Sequence, residues 1–435
     1  MFDRVLVANR GEIACRIIRT LRRLGVSSVA VFSEADASAK HVREADHAEP
    51  IGEAPAPASY LNPAAIVEAA LRSGAEAIHP GYGFLSESPK FAAAVADAGL
   101  TWIGPSPDVL ELTGDKVASR RAFRETAFPV LPGEGPFTSA DDAILAAGSV
   151  GFPVMVKAVM GGGGIGMGVA RDPEELVKAV ETASTRGSRF FADPSVYVER
   201  FVSPARHVEV QILADDDRTI HLYERECSVQ RRHQKVIEET PSPALDEELR
   251  NRMCSAAVRS LDALGYRGAG TVECVLTADR EFFFLEVNAR LQVEHPVTEL
   301  TCDVDLVEQQ LRIASGEGMS LHDTPPRHGH ALEFRIYAED PKTFLPSPGR
   351  IERLELPQDA RVDFGYDEGD QVPMYYDPLI GKVVVRGDDR AETLGTSSLD
   401  SLRIDGVKTN VPALAGVLRD ERFVSGNYDT GLLGR

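Results

Sequence analysis

At 435 residues the chain is too long for a single hydrophobic core, so two to four domains are expected. With 43% hydrophobic and 26% charged residues, the composition speaks against a membrane protein or a disordered one, and a formal net charge of -20 leaves no general surface for nucleic acid, which needs clustered Lys and Arg. The start, MFDRVLVANRGE, has no long apolar stretch behind a basic head, so neither a signal peptide nor a transmembrane segment is expected and a cytoplasmic location is the default.

DRVLVA, then GEIACRIIRTLRRLG with apolar residues at Ile13, Ile17, Leu21 and Leu24, then SVAVFS read as strand, helix and strand, the opening of a βαβ unit. Alternation continues to about Pro105, with AEAIHPG a further strand entering a Gly-rich turn. A dinucleotide-binding fold is the plain reading, but the first turn, Asn9-Arg10-Gly11-Glu12, lacks the GxGxxG that lets backbone approach a pyrophosphate. A helix is expected near Lys116 to Thr126, and the pattern changes at about Phe128. FPVMVKAV, MGGGG and IGMGVA form a Gly-rich hairpin, PEELVKAVETAS a helix and SVYVERFV a strand, together a small α+β lobe near 129 to 203. From HVEVQILA onward strands dominate: TIHLYERE, AGTVECVL, EFFFLEVNAR and ALEFRIYAED, with a helix at about Asp246 to Leu264. Cys15, Cys227, Cys254, Cys274 and Cys302 are odd in number and never in a CxxC pair, so reduced thiols are expected.

The Gly-rich loop is no Walker P-loop, because GK[ST] is missing and the loop joins two strands rather than opening a helix. It reads as a mobile flap whose N–H groups close over phosphates, or else as a plain solvent loop. Lys157 stands inside the apolar run PVMVKAV, where an unpaired ammonium is costly, so it needs an anion; Lys116 in TGDKVASR is less informative. Arg225 to Lys235, RECSVQRRHQK, is a basic island in an acidic protein, the arrangement expected if a small anion is drawn to one spot.

Strand alternation puts Glu286, Asn288 and Arg290 on one face, with Val287 and Ala289 on the other. If Asp279-Arg280 centre the turn, Glu273 of TVECVL faces Glu286, a like-charge pair that a divalent cation would relieve. Two carboxylates and an amide suit Mg2+ or Mn2+; a solvated polar face in another register is the alternative. By the same alternation His207, Glu209 and Gln211 share a face, as do Glu333, Arg335 and Tyr337.

With these features together the chain resembles the ATP-grasp superfamily, and more closely the biotin carboxylase family, over nearly its whole length. VANRGEIACRI, AIHPGYGFLSE, GDK, ERECSVQRRHQKVIEE, GYRGAGTVE, EVNARLQVEHPVTE, EFRIYAEDP, FLPSPG and YYDPLIGK carry the resemblance. It implies an α/β and α+β chain: a Rossmann-like N-terminal domain (1–113), a helical connection (114–128), an ATP-grasp lid with a mobile Gly-rich loop (129–203), and an ATP-grasp large subdomain with an antiparallel-sheet C-terminal domain (204–435). It implies that Lys116, Lys157, Gly163, Gly164, Glu199, His207, Gln230 and His233 bind ATP, with Arg200 beside Glu199 where lysine is common. Glu273, Glu286 and Asn288 would hold two Mg2+ or Mn2+ ions. Lys235, Arg290, Gln292 and Val293 would bind bicarbonate, Glu294 would be its general base, and Arg335 with the loop of Tyr82, Gly83 and Phe84 would receive biotin. Met160 and Ile165 replace a glycine and a basic residue common in the family's flap.

The activity implied is ATP- and bicarbonate-dependent carboxylation of carrier-bound biotin, through carboxyphosphate. A separate biotin carboxyl carrier protein, a carboxyltransferase of an acyl-CoA or pyruvate carboxylase, and a second copy in a homodimer are the implied partners, with neither nucleic acid nor membrane among them. Another ATP-grasp ligase joining a carboxylate to an amine, or a catalytically silent nucleotide-binding subunit, are the competing readings.

Overall fold

A computed structural model of the chain describes residues 1–159, 167–191, 193–232, 234–396 and 399–434. Strands β1 (Arg4–Val7), β2 (Ser27–Ser33), β3 (His47–Gly52), β4 (Ala77–His79) and β5 (Thr101–Trp102) form a parallel sheet in the order β3-β2-β1-β4-β5. Its near-continuous apolar strands are buried because helices cover both faces. The helix Gly11–Leu24 buries Ile13, Ile17, Ile18 and Leu21 and stops at Gly25, whose left-handed φ of 73° lets its N–H reach back to Leu21 and Arg22. This is the Rossmann-like domain.

A second, four-stranded antiparallel sheet has the order β6 (Gly133–Phe137), β9 (Val196–Arg200), β7 (Val154–Ala158), β8 (Gly168–Ala170). The helices Ala140–Val150 and Pro173–Phe191 pack on it through Ala143, Ala147, Leu176 and Val180. Of the connection between β7 and β8, residues 160–166, including Gly163 and Gly164, lie outside the described residues.

The third sheet is the largest and antiparallel throughout. Its order is β14 (Phe282–Asn288), β13 (Gly268–Thr277), β10 (Ala205–Ala214), β11 (Thr219–Arg231), β12 (Gln234–Thr240), β15 (His330–Tyr337), then strands Leu379–Gly387 and Arg361–Phe364. One face packs on the helix Glu247–Ala263 around Met253, Ala257 and Leu261, joined by Phe123 and Phe128. Five free cysteines, all buried, agree with the expectation of reduced thiols.

The hairpin β13–β14 differs from expectation in a way that leaves its consequence intact. Its connection has three residues, 278–280, closed by a Thr277 N–H to Glu281 O bond of 2.8 Å, with Arg280 left-handed at φ 62°. A two-residue turn at Asp279-Arg280 is thus corrected by one position, and Cys274 faces Phe284. A bulge then leaves Leu285 as an extra residue, and Glu273 faces Glu286 after all. The bulge also switches phase along the strand. Phe282 and Phe284 enter the core, Phe283 and Leu285 pack on the other side, and beyond the bulge Val287 and Ala289 are the inward residues.

Candidate active site

A cavity of about 1070 Å3 opens between the three sheets. Of the predicted site residues that the structure describes, all but Lys116 and Glu294 line it. Gly163, Gly164 and His233 lie outside the described residues.

The floor is a row of acids. Glu209 on β10 is the register partner of Glu273 on β13, which is the partner of Glu286 on β14, so three carboxylates stand side by side on adjacent strands. Like charges so placed repel. Lys235 on β12 answers the repulsion by donating to Glu209 (2.5 Å), Glu273 (2.8 Å) and, from the far side, Glu294 (2.8 Å). Arg225, wholly buried, donates to Glu209 at 2.6 Å and to Gln211, Thr298 and Thr271. His207 Nε2 lies 3.2 Å from Glu273 and 3.9 Å from Glu209, and its Nδ1 meets Gln230 at 3.0 Å; with Arg225 donating to both Glu209 and Gln211, the three residues His207, Glu209 and Gln211 share one face as expected.

Burial by itself would raise the Glu273 carboxyl, but Lys235 and His207 hold it well below the usual carboxylate range. Glu286 goes the other way: burial and the neighbouring Glu273 push it up, only partly opposed by Lys116 and Lys157. Asn288 completes the set, its Oδ1 accepting from Arg290 at 2.7 Å and its buried Nδ2 lacking a partner. Two carboxylates and an amide oxygen, one acid strained upward for want of positive charge, fit a hard divalent cation such as Mg2+ or Mn2+.

Glu294 is wholly buried between two cations, Lys235 at 2.8 Å and Arg335 at 3.0 Å. Burial opposes ionisation there, yet Lys235, Arg335 and Arg225 hold the carboxyl well below its ordinary value. Arg335 also donates to Glu238 at 2.5 Å. Strand β14 ends at Asn288, so Arg290, expected on the strand itself, lies beyond it; its guanidinium turns back onto Asn288, Gln292 (3.0 Å) and Glu87 (3.0 Å). Gln292 in turn donates to Glu273 at 3.1 Å, and the Val293 carbonyl accepts from Lys382 at 2.8 Å.

Across the cavity Lys157 on β7 finds its anion in Glu199 on β9, which also takes Arg120 at 2.5 Å. Lys116 begins the helix Lys116–Glu125, half-buried, and burial lowers its pKa. Arg200 follows with an exposed side chain. Tyr82, Gly83 and Phe84 form the opposite rim.

Within the island from Arg225 to Lys235, Arg225 and Lys235 are paired with buried carboxylates and Arg231 with Glu339, while Lys235 also lines the cavity. Glu87, Glu238, Arg120 and Lys382 went unassigned in the sequence. Lys382 carried a usable signal, an ammonium inside the apolar run LIGKVVV, the same signature as Lys157. The partners of the other three come from distant segments, which local periodicity does not reveal.

Among the described residues no helix is long and apolar enough to cross a membrane. Family models match in three consecutive segments: biotin carboxylase N-terminal domain at residues 1–110, carbamoyl-phosphate synthase L chain ATP-binding domain at 115–322, and biotin carboxylase C-terminal domain at 333–435. The chain is 47% identical to the biotin carboxylase of Halalkalibacterium halodurans, over 100% of this chain and 97% of that one. It is 47% identical to biotin carboxylase 2 of Bacillus subtilis, over 100% and 99%. Among solved structures, the biotin carboxylase domain dimer of Hydrogenobacter thermophilus 2-oxoglutarate carboxylase, in complex with MgADP, ADP and bicarbonate, superposes with a TM-score of 0.97 at 41% identity, covering 100% of this chain and 97% of that one. A Campylobacter jejuni biotin carboxylase complex with β,γ-ATP gives 0.97 at 40% identity, covering 100% and 98%. The sheets, the acid row with its lysine and these likenesses agree: the chain belongs to the biotin carboxylase family of the ATP-grasp fold.

Proposed function

We propose that this chain carboxylates biotin at the expense of ATP and bicarbonate, as the first half-reaction of a biotin-dependent carboxylase. The observation that carries the reading is the buried Glu294 between Lys235 at 2.8 Å and Arg335 at 3.0 Å, next to the Glu273, Glu286 and Asn288 oxygen set. The proposed base thus has an anion-holding cation and a second cation each within one hydrogen bond of it.

Lys116, Lys157 and Glu199, with Arg200, His207, Gln230 and His233 and the backbone at Gly163 and Gly164, are the groups we assign to ATP. Glu273, Glu286 and Asn288 would hold Mg2+ or Mn2+, which when bound offsets the charge on the transferred phosphoryl group. Bicarbonate is assigned to Lys235, Arg290, Gln292 and Val293. While Lys235 and Arg335 neutralise Glu294, that carboxylate is a weak base. An incoming anion competes for Lys235, and losing this cation raises the proton affinity of Glu294 as bicarbonate arrives. Glu294 then takes the bicarbonate proton, the freed oxygen attacks the γ-phosphorus, ADP leaves, and carboxyphosphate forms. Its breakdown gives CO2 and phosphate; phosphate takes the ureido N–H proton of biotin, and that nitrogen bonds to CO2. Arg335 is assigned to hold the ureido oxygen as negative charge develops on it.

A carrier protein or biotinyl domain, a carboxyltransferase and a second copy of the chain are the partners this reading requires, in the cytoplasm. The test is bicarbonate-dependent ATP hydrolysis stimulated by free biotin. Glu294→Gln is expected to lower that rate by about 100-fold or more while leaving ATP affinity within about threefold. A large loss of ATP binding, or retained turnover, would contradict the assignment of the base.

A further inference from the structure

The turn Asn9-Arg10-Gly11-Glu12 occupies the place where a dinucleotide-binding fold grips pyrophosphate, yet here its side chains turn to the protein. Asn9 Nδ2 donates to the carbonyls of Pro80 and Tyr82, both at 2.7 Å, and so fixes the chain entering the Tyr82–Phe84 loop. Arg10 is forked on Asp36 at 2.6 and 2.9 Å, donates to the Tyr366 hydroxyl at 3.0 Å, and lies with its guanidinium 4.4 Å from the centre of the Tyr376 ring. Tyr60 donates to the same Asp36 at 2.6 Å. Phe84 fills the aromatic corner that results, stacked on Tyr60 at 5.0 Å and edge-on to Tyr376 at 6.3 Å.

Phe84 is a non-glycine residue at φ 43°, a conformation that persists only when its surroundings over-determine it. Those surroundings come from both ends of the chain, with Asp36 and Tyr60 in the first sheet's domain and Tyr366 and Tyr376 beside the last strands of the large sheet. Arg10 joins the two. Such a buried, charge-locked clamp on a strained rim residue exceeds what closing the core requires.

We propose that Arg10, Asp36 and Tyr376 are positioning residues for the biotin acceptor, holding Phe84, and through it the Tyr82–Phe84 loop, in the shape that receives the ureido ring. The inference rests on the functional reading above. Asp36 touches no substrate in it; Asp36 fixes Arg10, Arg10 fixes the Tyr376 ring, and the ring fixes Phe84.

Asp36→Asn keeps the side-chain shape and removes the charge that locks Arg10. In steady-state assays with free biotin it is expected to raise the KM for biotin about tenfold, the scale of one lost charged hydrogen bond, while the KM for ATP and the biotin-independent hydrolysis rate stay within about twofold. Tyr376→Phe retains the ring and is expected to retain the biotin KM, whereas Tyr376→Leu raises it as Asp36→Asn does. If Asp36→Asn does not yield folded protein, Tyr60→Phe, which removes a single hydroxyl from Asp36, carries the same comparison with a smaller rise. Equal losses in all three parameters, an unchanged biotin KM in a folded variant, or a Tyr376→Phe protein as impaired as Tyr376→Leu would overturn the proposal. Wild-type protein that is not stimulated by biotin refutes the functional reading and this inference with it; stimulated wild type with unaffected variants refutes only the inference.

Discussion

Gly365 follows the strand Arg361–Phe364 and presses directly on the first turn of the chain. A Cβ added there would lie 2.4 Å from the Glu12 nitrogen, 2.6 Å from the Gly11 carbonyl carbon and 2.8 Å from the Gly11 Cα. Ordinary contacts between such atoms are about 3.5 to 4.0 Å, so Gly365→Ala forces a retreat of about 1 Å. No rotamer change can relieve the clash, because the atoms met are backbone and Gly11 is itself left-handed at φ 64°. Overpacking of this kind costs about 1 to 3 kcal/mol, and we expect about 2 kcal/mol here. The same retreat pulls on Glu12, whose carboxylate lies 3.2 Å from Lys382, the donor to the Val293 carbonyl. A shift of that size at a reacting centre costs up to about 100-fold, and attenuated through two contacts we expect kcat/KM for bicarbonate to fall about tenfold. Thermal or denaturant unfolding reads the first effect and bicarbonate-dependent ATP hydrolysis the second. Gly416→Ala is the control: nothing lies within 4 Å of its added Cβ, on the exposed side of the helix Val411–Val417, so a neutral change or a gain of up to about 1 kcal/mol is expected. If Gly365→Ala matches wild type in both assays, close backbone approach at Gly11 does not constrain this enzyme.

Arg335→Ala is expected to depress biotin carboxylation more than the slow bicarbonate-dependent ATP hydrolysis, and equal losses in coupled and uncoupled assays would count against its assignment to the acceptor. Burial pushes the His41 imidazole down to about 4 and that of His79 to about 3. Both stay neutral in the folded chain while the unfolded chain takes up protons below its ordinary pKa of about 6.5, so stability is lost as pH falls from about 6.5 towards 4. At pH 5.5 the loss is about 1.4 kcal/mol for each, read as the difference between wild type and variants lacking each ring, and an NMR titration in which either imidazole of the folded chain protonates near pH 6.5 would show that the ring is not neutral and buried. Phe284, wholly buried and stacked on Phe123 at 3.9 Å, should cost about 3 to 5 kcal/mol when replaced by Ala. Phe283→Ala, on the opposite and less buried face, should cost clearly less by denaturant midpoint, and equal costs would refute the assignment of Phe284 to the core face and Phe283 to the other.

Local periodicity carried the reading well where one strand speaks for itself. The facing of Glu273 and Glu286 was read from a turn centred on Asp279-Arg280, and it survived an error in that turn only because the Leu285 bulge restores the register that a three-residue connection shifts. The pairing of Lys157 with an anion was legible as a need, but its answer, Glu199, lies two strands on in sequence. Glu87 reaches Arg290 across 203 residues, and Glu209 joins the acid row only when β10 pairs with β13. The basic island was incomplete for the same reason: the carboxylates that pair with Arg225, Arg231 and Lys235 come from segments remote in sequence.

The third sheet has a consequence for how this chain can be divided. The family segments ending at 322 and beginning at 333 invite a cut between them, yet β12 and β15 are zipped together from Ile237 opposite Phe334 to Thr240 opposite Ala331. A scission there would expose two raw sheet edges and strip Arg335 from Glu294, so the severed halves should be inert alone and reconstitute only by re-annealing along that seam.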